Sequence, residues 1–176
     1  MRPSEMDRAS FVARFGGVFE HSPWVAEGAW NAGNVPDDAE GLHAAMVAVL
    51  RAAGHDRKLA LLNAHPDLAG RLAMRGEMTA DSTAEQASAG LDRCTPDEFA
   101  RFTELNDAYK ARFGFPFILA VKGRSRAEIL AAFESRLPNG PEEEFATALA
   151  QVERIARLRL NDLLGLADLL GKDMIP

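Results

Sequence analysis

The chain has 176 residues, 47% of them hydrophobic and 26% charged, with a formal net charge of −6. That length suits one domain, residues 1–176, with a sizeable core. The excess of acids disfavours nucleic acid as a partner, and no stretch approaches the roughly 18 apolar residues that span a membrane.

Helical periodicity dominates. Residues 10–15 and the start at Ser22-Pro23-Trp24 open two helices, and a third runs over 39–53 until Gly54. Asp56 can cap a short helix over 57–64. Pro66 disfavours α conformation at His65, so that helix ends there. The His65 imidazole then sits in a bend at a helix C-terminus, where the dipole favours its protonated form. A lone histidine in such a place serves as a cap or packs more often than it does chemistry. Asp67 can cap the helix that follows. Ser82-Thr83-Ala84-Glu85 fits a capping box, with Ser82 as N-cap and Glu85 as the returning carboxylate. The open N–H groups of such an end also suit a carboxylate or an oxyanion.

Thr95-Pro96-Asp97-Glu98 opens the next helix with a cap, a proline at the first position and a returning acid. Phe99, Phe102, Asn106, Tyr109 and Phe113 then recur on one face. Residues 113–121, FGFPFILAV, have the composition of a buried strand with no partner strand elsewhere. Such a backbone needs its N–H and C=O groups paired. Either the stretch turns quickly into helix, or something other than a sheet pairs it, such as a flat, amide-rich ligand. Ser125 and Glu128 form another capping box, and residues 138–141, PNGP, end the helix it starts. Glu142, Glu143 and Glu144 place acids in the first turn of a long helix that runs to about Leu164.

On that helix Phe145, Leu149, Val152, Ala156 and Leu163 form an apolar stripe, and Arg159 falls on it. A guanidinium there either snorkels to a rim or needs an anionic partner. If it holds a substrate, replacing it with Met should cost activity and leave stability similar or higher. The chain has no HExxH, no cysteine pair, no histidine cluster and no glycine-rich phosphate loop, which disfavours a metal or organic cofactor. The single cysteine, Cys94, cannot close an internal disulfide. This suits a reducing compartment, as does an N-terminus without an apolar signal core, so a cytoplasmic protein is expected. The fold class is all-α, a bundle of about seven or eight helices.

Four stretches together resemble the OHCU decarboxylase family (2-oxo-4-hydroxy-4-carboxy-5-ureidoimidazoline decarboxylase). They are FGGVFEHSPW from Phe15, AHPDLAGRLAMRGEMTADSTAEQASAGL from Ala64, ELNDAYKARFGFPFILAV from Glu104 and RLRLNDLL from Arg157. The resemblance covers residues 15–164 and leaves 165–176 as an unmatched tail. It implies a helical homodimer that needs no metal or organic cofactor and decarboxylates OHCU to (S)-allantoin in urate degradation. It implies His65 as catalytic acid and Glu85 as its partner. Pro66, Ser82, Thr83, Ala84, Glu85, Gln86, Phe117, Ile118, Leu119, Ala120, Val121 and Arg159 would surround the substrate. The rival readings are a non-catalytic helical dimerisation module, an inactive relative, or a hydrolase of a related hydantoin ring with His65 as base.

Overall fold

In the computed structural model the described residues are 1–70 and 76–172, with side chains through 165. The expectation that Asp67 caps a following helix bears on residues 71–75, which lie outside the described residues. Among those described there are eight α-helices and no strand, so the all-α expectation holds. The helices are α1 Arg8–Phe15, α2 Trp24–Asn31, α3 Ala39–Ala52, α4 His55–Asn63, α5 Ala80–Ser88, α6 Pro96–Phe113, α7 Arg126–Arg136 and α8 Pro141–Lys172. None of the described helices is long and apolar enough to cross a membrane. The residues pack as two units, one of Met1–Leu61 with the chain from Glu153 onward, the other Leu62–Val152.

In the first unit, α1 begins earlier than periodicity suggested, because Asp7 caps it by accepting from the Ser10 amide at 2.7 Å. Asp38 caps α3 through the Gly41 amide at 2.8 Å. Helix α2 packs against α3 closely enough that a Cβ at Gly28 would lie 2.5 Å from Val49 Cγ1. Phe11 meets Phe15 and Trp30 at ring distances of 4.9 and 5.2 Å. The later part of α8 contributes buried Ile155, Ala156 and Leu160. It is tied to α3 by the Arg51–Glu153 ion pair at 2.7 Å, and by His43 Nε2 at 2.7 Å from the Glu153 carbonyl.

In the second unit two of the three expected capping boxes form. Thr95 and Glu98 exchange hydrogen bonds at 2.9 and 3.2 Å at the head of α6. Ser125 and Glu128 do so at 2.6 and 3.2 Å at the head of α7. Gly114, at φ +78°, ends α6 in the left-handed region that favours glycine. Fully buried Tyr109 is the aromatic hub, with Phe113, Phe117 and Phe133 at 4.5, 5.3 and 6.0 Å. Phe117 stacks on Phe133 at 3.8 Å. Helix α8 runs past Leu164 to Lys172, longer than expected.

Candidate active site

Helix α4 stops at Asn63, and the His65 amide closes its last turn by donating to the Leu62 carbonyl at 3.2 Å. Pro66 thus ends the helix as the sequence implies. His65 is half-buried, with its Nε2 atom fully enclosed. The loop that follows is held by three side chains. Gln86 accepts from the Ala69 amide at 3.0 Å and donates to the Asp67 carbonyl at 3.1 Å. Asn106 donates to the Leu68 carbonyl at 2.9 Å. Lys110 pairs with the Asp67 carboxylate at 2.6 Å, so that carboxylate faces α6. The clamp holds Ala69 at φ +48°, an unfavourable conformation for a residue with a Cβ.

The start of α5 corrects the sequence reading. Thr79, not Ser82, is the N-cap, and its Oγ1 accepts from the Ser82 amide at 3.3 Å. The reason is burial, since a start at Thr79 puts Ser82, Gln86 and Ala89 on one face at 4%, 5% and 6% exposure. Glu85 therefore lies one turn further in, is half-buried, and is not the N3 acid of a capping box. Thr83 and Ala84 are exposed. Glu85 directly precedes Gln86, whose amide grips the loop after His65, so α5 and the histidine loop are mechanically joined.

Residues 115–121 form neither helix nor strand. Phe117, Ile118, Leu119, Ala120 and Val121 are all buried. Side chains replace a partner strand. Arg136 donates to the Ile118 carbonyl at 2.8 Å, Gln151 accepts from the Ala120 amide at 3.0 Å, and Arg124 Nε donates to the Ala120 carbonyl at 3.1 Å. Among the described residues the amides of Leu119 and Val121 meet no acceptor.

Behind Arg136 lies a buried polar cluster. Fully buried Glu144 pairs with Arg136 at 2.9 Å, accepts from Asn139 at 2.9 Å and accepts a further hydrogen bond from the Tyr109 hydroxyl. Burial alone would raise the Glu144 carboxyl. Hydrogen bonds from Arg136, Tyr109 and Asn139, with the Arg136 charge, instead hold it below the usual carboxylate range. Burial and then the bond to Glu144 push the Tyr109 phenol upward. Glu144 was expected to serve the α8 dipole; it lies in the first turn as foreseen, but it is spent on this cluster. In the sequence Arg136 extends the Ile129–Phe133 spacing of α7 by three, the pattern of a cation on a buried face. Burial also raises the Cys94 thiol, which suits an inert cysteine.

Arg159, in the other unit, is 5% exposed and bonds Glu20 Oε2 at 2.9 Å, where Glu20 is 2% exposed. It also reaches the carbonyls of Val18 and Gly17 at 3.3 and 3.4 Å. Thus the guanidinium does not snorkel, and it does have an anionic partner. The expectation that Met there leaves stability similar or higher no longer follows, since Met would take an ion-pair partner from a buried carboxylate. Glu20 lies in a loop, where no periodicity exposes a misplaced charge.

An imidazole on a pinned loop, a carboxylate on the helix that pins it, and a non-helical backbone with open amides are tools for proton transfer and amide recognition. Comparison with known proteins narrows this further. The family profile described as OHCU decarboxylase matches residues 4–161. A 2-oxo-4-hydroxy-4-carboxy-5-ureidoimidazoline decarboxylase of Halalkalicoccus jeotgali is 44% identical over 160 residues, covering 91% of this chain and 88% of that protein. Its namesake in Haloferax volcanii is 44% identical over 157 residues, covering 89% and 90%. Among solved structures, an (S)-allantoin synthase superposes with a TM-score of 0.74 at 35% identity. That match covers 92% of this chain and 52% of the synthase, so the chain spans about half of that protein.

Proposed function

From the premise that this chain belongs to the OHCU decarboxylase family, we propose that it is a carboxy-lyase converting OHCU to (S)-allantoin in urate degradation. The near-complete family match carries this reading, and the pinned His65 loop gives it a chemical centre.

The substrate explains the residue types. One ring carbon of OHCU bears a carboxylate and a hydroxyl, next to a C=N bond. When its bond to the carboxylate breaks, CO2 leaves and the electron pair forms a C=C bond with the neighbouring carbon. The C=N electrons pass to nitrogen, which takes a proton. The hydroxyl proton then moves to the neighbouring carbon as the hydroxyl becomes a carbonyl. The substrate is its own electron sink, so the scheme calls for no metal or organic cofactor. His65 engages the hydroxyl and shuttles its proton, Glu85 fixes the imidazole, and delivery to one face sets the hand of the product. Pro66 and the Ser82, Thr83, Ala84 and Gln86 turn flank the substrate. The Phe117, Ile118, Leu119, Ala120 and Val121 backbone reads the ring amides, and Arg159 takes an anionic or carbonyl oxygen. Gln86 acts at least as much on the loop as on substrate, given its two bonds there.

We further place the protein in the cytoplasm as a homodimer, by its resemblance to the family; sedimentation at several concentrations tests the dimer. The decisive experiment supplies OHCU freshly generated from urate and follows circular dichroism. Accelerated appearance of a single hand of allantoin with release of CO2 is expected. Turnover without CO2 would favour ring hydrolysis, and no acceleration would favour an interaction module.

A further inference from the structure

The cluster of Tyr109, Arg136, Asn139 and Glu144 is absent from the chemistry above, yet its Tyr109 and Glu144 are fully buried. A buried ion pair is a poor device for stability, because apolar side chains of similar volume often do as well or better. What this pair does hold is the backbone at Ile118. Arg136 donates to the Ile118 carbonyl at 2.8 Å and lies 4.4 Å from the centre of the Phe117 ring.

The peptide plane gives that contact a direction. The Ile118 carbonyl and the Leu119 N–H belong to one planar trans unit and point opposite ways. Fixing the carbonyl therefore aims the N–H. The Ala120 carbonyl and the Val121 N–H stand in the same relation, and Arg124 holds that carbonyl at 3.1 Å. The intervening peptide is fixed by its N–H, which Gln151 accepts from Ala120 at 3.0 Å. The two amides that meet no acceptor among the described residues are thus the reverse ends of two peptides whose carbonyls are held by arginines. Each therefore points away from the arginine that holds its peptide. A cation on the carbonyl also polarises its peptide and strengthens the opposite N–H as a donor.

We propose that Arg136, anchored by Glu144, and Arg124 are positioning residues that aim the Leu119 and Val121 amides at carbonyl oxygens of the bound ureide. This rests on the reading that residues 117–121 contact the substrate, and the test separates the two ideas. In the wild-type protein, titration with (S)-allantoin is followed by amide NMR. The Leu119 and Val121 resonances should shift. If neither responds, the reading falls and the inference falls with it.

R136M/E144L replaces the ion pair by apolar side chains and frees the Ile118 peptide. Its KM and its Kd for (S)-allantoin should rise roughly tenfold, the scale of one lost aimed hydrogen bond, while kcat changes less than about threefold. The Leu119 shift on titration should shrink. R124M should act likewise on Val121 and leave Leu119 responsive, and it stands alone if the double variant does not fold. Y109F removes a bond to Glu144 without touching the Ile118 peptide. It should lower the melting temperature with KM unchanged, which separates aiming from mere stability. A wild-type response at both amides, with KM and Kd unaltered in R136M/E144L and R124M, would overturn the inference and leave the reading standing.

Discussion

Replacing Arg159 by Met removes an ion-pair partner at 2.9 Å from the Glu20 carboxylate, which is 2% exposed. At the observed 2.9 Å, the lost attraction is about 6 kcal/mol at an effective dielectric of about 20. Removing one member of such a pair costs about 3–5 kcal/mol overall. The protein has one escape, which is to bind a proton on Glu20. From an ordinary carboxyl value near 4.3, that costs about 3.7 kcal/mol at pH 7, so the loss should level off near about 4 kcal/mol. For a chain of this size the melting temperature should fall on the order of 10 °C. The sign of the pH dependence is specific. In the variant the folded Glu20 has a raised pKa, so the folded state binds the proton before the unfolded state does. Stability should therefore increase as pH falls from 7 towards about 4.5, by up to about 1.4 kcal/mol per unit. The double variant R159M/E20L, with no charge left to bury, should recover to within about 1 kcal/mol. Urea unfolding of both variants at pH 7 and pH 5 measures all of this. A single variant as stable as wild type at pH 7, or a loss that does not depend on pH, would refute the buried pair. Substrate kinetics on the double variant then report what Arg159 does for the reaction apart from folding.

Three further outcomes are expected. His65→Asn should lower the rate by roughly 10²–10⁴-fold with an unchanged far-ultraviolet spectrum; lost melting temperature with a retained rate would make His65 structural. Glu85→Gln and Glu85→Ala should both spare the start of α5, because Thr79 caps it, whereas Thr79→Ala should cost about 1 kcal/mol; both Glu85 variants should lose tenfold or more in turnover if it partners His65, and an unchanged rate removes it from the site. Glu144, whose pKa is depressed when folded, contributes stability that is present above its unfolded value near 4.3 and lost as pH falls below it. Glu144→Gln should therefore flatten the acid limb of a urea-midpoint profile between about pH 5 and pH 3, and an identical limb would contradict the cluster.

Local signals were legible in the sequence and distant ones were not. The boxes at Thr95 and Ser125 are closed within four residues, so the sequence states them completely. The start of α5 is ambiguous in the sequence because Thr79 and Ser82 can each cap, and only burial of Ser82 and Gln86 decides between them. Periodicity found Arg159 as a misfit cation, but Glu20 lies 139 positions away in a loop. Residues 113–121 announced a buried strand without a partner. The side chains that stand in for that partner come from Arg124, Arg136 and Gln151, which no local pattern links to it. The positions proposed for chemistry carry local signals: a histidine before a proline, an acid on a short helix.

The division of the chain also bears on how the protein is made. The unit of Leu62–Val152 is continuous, whereas the other joins Met1–Leu61 to residues from Glu153 onward. Ile155, Ala156 and Leu160, and the Arg159 that neutralises Glu20, are synthesised only after the whole central segment. At about 5–20 residues per second the N-terminal helices wait on the order of ten seconds on the ribosome for their remaining core. During that interval Phe11, Phe15 and Glu20 are present without α8, while the central unit is already contiguous in the emerged chain. The middle of the chain is thus placed to fold first, with the N-terminal part the segment a nascent-chain chaperone would need to shield.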